Sequence, residues 1–284
     1  MAVFSMLIDH AGAVLLYTRH TGASLYWVMR SLGRIAFPLY ALLLTEGFGY
    51  TKNRGKYLKR LIVFAFISQI PYSLALCANN YNITEAVSSA AFNGSETFIL
   101  AAVLSFVLFL IFFRERKYLP TVCITAIAFL PTGFSLVVNG ITLWQSGLNV
   151  IYTLAASLTV LWIIEIWLED GLPGKKQIAA SVIGLALSGS VLLHSDYGIW
   201  GLVLIIALYL FRSHRGIMCL AMAIWCVCKY LPTAGSGLFL TAGALVAVIL
   251  TALYSGRQGK KSRLFYLVYP LHLLIYALIG LFVL

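Results

Sequence analysis

Residues 52–77 read KNRGKYLKRLIVFAFISQIPYSLALC. Lys52, Arg54, Lys56, Lys59 and Arg60 crowd the first nine positions, and no charged residue follows before Glu85. A membrane helix needs about 20 mostly apolar residues. A basic cluster directly before such a run is held on the cytoplasmic side of a bilayer. The stretch therefore reads as a cytosolic loop feeding a membrane span over 59–77, with Gln69 and Pro71 deeper in it.

The rest of the chain repeats this pattern. Of 284 residues, 61% are hydrophobic and 10% are charged, against roughly 45–50% and about 25% in a soluble domain. That excludes an ordinary cytosolic enzyme, a disordered chain and a secreted disulfide scaffold. Eleven spans are expected, over 2–18, 33–50, 59–77, 97–113, 119–138, 149–168, 177–194, 197–211, 214–230, 236–254 and 264–284, with 197–211 the shortest. The expected fold class is all-α, a polytopic integral membrane helical bundle of about 10–11 transmembrane helices, forming a single domain over 1–284. The first span reads as a retained helix, because its apolar run lacks a basic flank and is broken by Asp9 and His10.

The net charge of +11 is not spread evenly. Sixteen of the 20 Lys and Arg lie in five alternate loops: the 52–60 cluster, Arg114, Arg116 and Lys117, Lys175 and Lys176, Arg212 and Arg215, and Arg257, Lys260, Lys261 and Arg263. The other side keeps Arg19 and Arg30 in loops and Arg34 and Lys229 near helix ends. The basic loops therefore face the cytoplasm and the N-terminus is cytoplasmic. The excess charge sets orientation and does not point to nucleic acid. Between the third and fourth spans lie two glycosylation-type sequons, at Asn82 and Asn93. The five cysteines sit mostly in apolar runs and read as small hydrophobes, and no metal site is expected.

Charged groups at membrane depth cost about 2.5–3.5 kcal/mol on insertion scales, so each needs a reason. Asp9 and His10 fall in the middle of the first span, about 100° apart around the helix. His272 falls in the middle of the last, two residues after Pro270. Arg34 sits near the outer end of the second span and Glu46 in its inner third. Glu165 is expected to snorkel toward the cytosol, and His20 and His194 to be interfacial. His194, Asp196, Tyr197 and Lys229 line the outer side. Three layers result: a basic inner mouth suited to a phosphorylated donor, a histidine layer suited to general base catalysis, and a polar outer mouth that can admit an acceptor. The same layers would suit a proton-coupled transporter, although no inverted repeat is visible. They would also suit a non-catalytic scaffold.

An ordered series of segments narrows the choice. Met6-Leu7-Ile8-Asp9-His10 is followed by Gly33-Arg34-Ile35-Ala36-Phe37-Pro38-Leu39-Tyr40, Thr45-Glu46-Gly47-Phe48, Tyr57-Leu58-Lys59-Arg60-Leu61 and Ser68-Gln69-Ile70-Pro71-Tyr72. Asn149, Asp196-Tyr197-Gly198 and Tyr269-Pro270-Leu271-His272 come later. This series resembles the TraX family, most densely over 6–72. The family is associated with N-acetylation of conjugative pilin and is similar in plan to broader membrane acyltransferases that use acyl-CoA.

The resemblance implies a bacterial inner-membrane acetyltransferase, acting on a pilin, peptide or glycan acceptor outside the cytoplasm. Acetyl-CoA would be the donor, its phosphates held by residues among Lys52, Arg54, Lys56, Lys59 and Arg60. His10 would deprotonate the acceptor, with His272 the second candidate base. Asp9 would orient or charge-stabilise the region, Arg34 would stabilise the oxyanion, and Glu46 would partner a basic residue.

Overall fold

A computed structural model describes residues 1–16, 23–77, 91–93, 95–112, 118–130, 135–138, 141–145, 147–170, 174–256 and 264–282. The fold is all-α, with one small sheet. The helices are α1 (Ala2–Ala11, continued by a π-helical turn Gly12–Leu16), α2 (Ala23–Gly33), α3 (Ala36–Tyr50), α4 (Arg54–Leu76), α5 (Ser95–Phe112) and α6 (Leu119–Thr125). They continue with α7 (Val150–Asp170), α8 (Lys175–Leu193), α9 (Gly198–Leu210), α10 (Arg215–Tyr230), α11 (Gly237–Leu253) and α12 (Leu264–Phe282). Strands β1 (Ala91–Asn93), β2 (Ser135–Val138) and β3 (Ile141–Trp144) pair antiparallel in that order.

What faces outward on these helices shows the solvent they are built for. On α10, Met218, Met222, Trp225 and Cys226 are buried at helical spacing, while Ile217, Leu220, Ile224 and Val227 are exposed. On α8, Ala180, Ser181, Gly184 and Ser188 face inward, and the larger Ile178, Val182 and Leu185 face out. A soluble helix would show a polar outer face. Small and hydroxyl residues inside with bulky apolar ones outside is the arrangement of helices packed in lipid. The chain is a membrane protein.

The chain divides into two compact units. Unit 1 comprises Met1–Glu46, Leu74–Ile83 and Val203–Leu284, and unit 2 comprises Gly47–Ser73 and Thr84–Leu202. In unit 1, α2 crosses α11 so closely that a Cβ on Gly243 would run into the Ser31 backbone, and Ser31 Oγ donates to the Phe239 carbonyl at 2.7 Å. In unit 2, a buried amide pair ties α4 to the start of α7. Gln69 Nε2 donates to the Gly147 carbonyl at 2.8 Å, and its Oε1 accepts the Asn149 side-chain amide at 2.9 Å. Asn149 also donates to the Ala65 carbonyl and caps α7 by accepting the Ile151 N–H. All these partners come from unit 2 itself, so two fully buried amides are satisfied internally.

Two expectations are corrected. The region 119–138 is not a span: α6 has seven residues, the chain turns over 126–130, and 135–138 is strand β2. Pro131 and Gly133 break the apolar run, and Asn139-Gly140 between two β-branched stretches is a hairpin signature that hydropathy counting ignores. The supposed outer loop at 19–32 is helical over Ala23–Gly33, so Arg30 is a helix residue. Among the described residues, four helical stretches are long and apolar enough to cross a membrane: Ser24–Tyr50, Arg54–Leu76, Val150–Glu169 and Lys175–Leu193. Ala2–Leu16, Glu96–Phe112, Gly198–Leu210, Gly237–Leu253 and Leu267–Leu281 are shorter apolar helices. The stretch read as shortest, 197–211, is a 13-residue helix. Arg19, His20, Asn82, Arg114, Arg116, Lys117, Arg257, Lys260, Lys261 and Arg263 lie outside the described residues.

Candidate functional site

The adjacent residues Asp9 and His10 leave α1 in different directions, as the 100° step requires, and each finds a partner in unit 1. His10 faces α12. Its Nδ1 lies 2.6 Å from His272 Nε2, and the two rings are nearly parallel, 7° apart with centroids 5.0 Å apart. On its far side His272 Nδ1 is 2.6 Å from the Val268 carbonyl, one turn earlier on α12. Tyr269 sits edge-on to both imidazoles and Tyr276 edge-on to His272. The Tyr276 hydroxyl donates to the Leu7 carbonyl at 3.3 Å, which ties α12 back to α1. His272 is buried, at 6% exposure.

Asp9 faces the end of α2. Its two carboxylate oxygens take one guanidinium each, Arg30 at 2.8 Å and Arg34 at 2.8 Å. Arg34 Nε also donates to the Arg30 carbonyl, and its guanidinium lies over the Tyr230 ring, 5.8 Å from the centroid. Gly33 is required by this packing, since a Cβ there would overlap the Asp9 side chain. One carboxylate facing two guanidinium groups gives these three residues together one net positive formal charge, with the anion Asp9 adjacent to His10 in the chain. Arg30 was missed as a site residue because it was read as a loop cation. The four-residue spacing of Arg30 and Arg34, which places both on one helical face, was the available signal.

Glu46 joins neither group. Among the described residues, the Tyr254 hydroxyl, at the end of α11, donates to Glu46 Oε2 at 2.7 Å, so the partner seen there is a phenol. In unit 2 the basic cluster separates into two parts. Arg54 forms an ion pair of 2.6 Å with Glu165 and lies over the Phe48 ring, 4.9 Å from its centroid. Glu165 therefore has a partner in the basic cluster at the start of α4. Lys56, Lys59 and Arg60 line a cavity of about 430 Å³ together with Thr51, Asn53, Val63 and Phe64. Asn53 accepts the Lys56 N–H at 2.9 Å and caps the first turn of α4, where the helix dipole adds positive potential. Lys52 is exposed and outside the lining.

The outer-side residues fall in both units. In unit 2, Leu148 N–H donates to the His194 carbonyl at 2.8 Å, and Asp196 N–H donates to the Leu148 carbonyl at 2.9 Å. Thr153 Oγ1 bonds the Asp196 carbonyl, and Tyr197 is held at φ 63°. Lys229 belongs to unit 1.

A family profile described as TraX protein matches residues 1–92 and 134–280. The chain belongs to the TraX family. The match includes both histidines, the Asp9–Arg30–Arg34 cluster and the basic cavity, so every group described above lies within the TraX segments. It leaves out 93–133, which carries α5 and α6. One curated relative, the probable fimbrial assembly protein FimC, serogroup H1, of Dichelobacter nodosus, is 37% identical over 73 residues. That stretch covers 26% of this chain and 29% of the relative. No solved structure matches this TraX protein.

Proposed function

We propose that this protein is a membrane acetyltransferase that carries an acetyl group from acetyl-CoA to an amine or hydroxyl acceptor, with a pilin as the first acceptor to test. The observation that carries the reading is the His10–His272 contact at 2.6 Å, inside a TraX-family chain. The FimC relative is described as a probable fimbrial assembly protein, which agrees with the pilin association that the TraX resemblance implies. A partly buried imidazole held by a buried one is a base with a fixed orientation, which is what deprotonating an acceptor amine needs.

The step is an acyl transfer. The acceptor nitrogen bonds to the thioester carbonyl carbon, the carbon–sulfur bond breaks, and CoA leaves as a thiolate. The proton lost by the nitrogen goes to His10 and from there to the thiolate. The tetrahedral intermediate carries an oxyanion, and the net positive charge of the Asp9–Arg30–Arg34 cluster favours it. Arg34 acts there as part of a clamp on Asp9 and not as a lone donor. The donor's phosphates are assigned to Lys56, Lys59 and Arg60, which surround a cavity at a capped helix N-terminus. Arg54 is assigned to structure, because Glu165 and Phe48 hold it. We place the protein in the bacterial inner membrane with the basic cavity on the cytosolic side, where acetyl-CoA is made.

The test is transfer of radiolabelled acetyl from acetyl-CoA to a peptide with a free α-amine, by the full chain in lipid nanodiscs. His10→Gln is expected to lower turnover by at least about 100-fold, the lower end of what a general base supplies. Turnover equal to wild type would remove His10 from the chemistry.

A further inference from the structure

We infer that His272 is a positioning residue that fixes His10 in its Nδ1–H tautomer and leaves His10 Nε2 as the atom that takes the acceptor's proton. This deepens the acetyltransferase reading and rests on it for the chemistry, although the tautomer assignment stands on geometry alone. The chain of contacts begins at a carbonyl. The Val268 oxygen can only accept, so His272 Nδ1, 2.6 Å away, must carry a hydrogen. A neutral His272 then has its lone pair on Nε2. His10 Nδ1 lies 2.6 Å from that lone pair and must therefore be the donor. A neutral His10 with hydrogen on Nδ1 keeps its own lone pair on Nε2. Among the described residues His10 Nε2 has no hydrogen-bond partner. For two neutral rings no other proton placement satisfies both contacts.

This arrangement separates the roles of two histidines that look equivalent in the sequence. Both His272 nitrogens are engaged, one as donor to Val268 and one as acceptor from His10, so it has no lone pair to offer a substrate. His10 has one. When Nε2 takes the proton, the positive charge on His10 can pass along the same hydrogen bond. The Nδ1 proton moves to His272 Nε2, and the imidazolium then rests against the Val268 carbonyl. Tyr269 and Tyr276 stand edge-on around the rings and limit their rotation, which keeps the two imidazoles in line. Pro270 lies between Val268 and His272 and cannot donate to the carbonyl of Tyr266. The site therefore sits in a stretch of α12 whose hydrogen bonding is already altered.

The test reads the tautomer directly. Full-length protein in nanodiscs is labelled with nitrogen-15 histidine, and the His10 signals are identified by their loss in His10→Gln. The wild-type His10 should show a protonated Nδ1 and an unprotonated Nε2. Protonated Nε2 with bare Nδ1 in the resting protein would overturn the assignment. In His272→Leu the His10 signals should revert to the mixture of a free imidazole, with acetyl transfer falling at least about 100-fold in kcat and the KM for acetyl-CoA unchanged. His272→Gln retains an acceptor oxygen for His10 Nδ1–H and should recover kcat to within about tenfold of wild type. Equal losses in the Leu and Gln variants, with both still monodisperse and His10 still an Nδ1–H tautomer, would overturn the positioning role. A wild-type protein with the expected tautomer but no acetyl transfer would sink the acetyltransferase reading while upholding the tautomer assignment.

Discussion

Asp9 is the residue on which the charge balance of unit 1 turns. Its carboxylate is bonded by both Arg30 and Arg34, and its side chain is 13% exposed. Removing one partner from a largely buried ionic group leaves the others uncompensated, which costs about 3–5 kcal/mol. Asp9→Asn is expected to lower stability by roughly 3 kcal/mol in a thermal unfolding series in detergent. The double variant Asp9→Asn with Arg30→Gln should recover part of that loss, because it removes one stranded cation. A loss below about 0.5 kcal/mol for the single change would mean that the cluster is solvated like a surface pair. The sequence marked Asp9, His10 and His272 as costly residues at membrane depth and put Arg34 near the outer end of a span. It could not pair them, since His10 and His272 are 262 positions apart and only α1 packing on α12 brings them together.

The decisive element is α4. Its buried face, Leu58, Leu61, Ile62, Ala65, Ser68 and Gln69, repeats at helical spacing. Its outer face is basic at Lys56, Lys59 and Arg60 and becomes apolar at Val63, Ile67 and Ile70. That change is the pattern of a helix that crosses a water–lipid boundary, and the basic cavity lies at its basic end. On the proposed reading, donor binding there depends on charge and weakens with salt. Lys56→Glu with Lys59→Glu is expected to raise the apparent acetyl-CoA KM at least about tenfold, with kcat little changed. The wild-type KM should itself rise with ionic strength. An unaltered KM would move donor binding elsewhere. The element pattern was legible in residues 52–77 because charge and hydropathy are local. The fate of Arg54 was not, because its partner Glu165 lies on α7.

In the whole molecule, each unit exposes bulky apolar side chains at helical spacing. Examples are Leu220, Ile224 and Ile249 in unit 1, and Ile99, Leu100 and Leu104 in unit 2. Such surface exceeds what a soluble monomer presents. The full chain should therefore remain in the membrane pellet after alkaline carbonate washing and require detergent for release. Recovery in the carbonate supernatant would contradict an integral membrane fold. The count of spans was less legible than the class. Hydropathy windows reward any apolar run, and 119–138 contains one, yet it holds a short helix and a strand, with Pro131 and Gly133 between them in the sequence.

The sequence by itself determined the membrane class, the positions of most helices and the ionisable residues worth attention. These follow from composition and from periodicity within a single helix, which are local properties. Only the tertiary structure decided which ionisable groups share a site. It joined Asp9 to two arginines and His10 to His272, and it gave Glu46 to Tyr254 and Arg54 to Glu165. Pairing depends on the rotation and depth of separate helices. Those are fixed by side-chain packing between segments far apart in the chain, of which a single sequence carries no direct record.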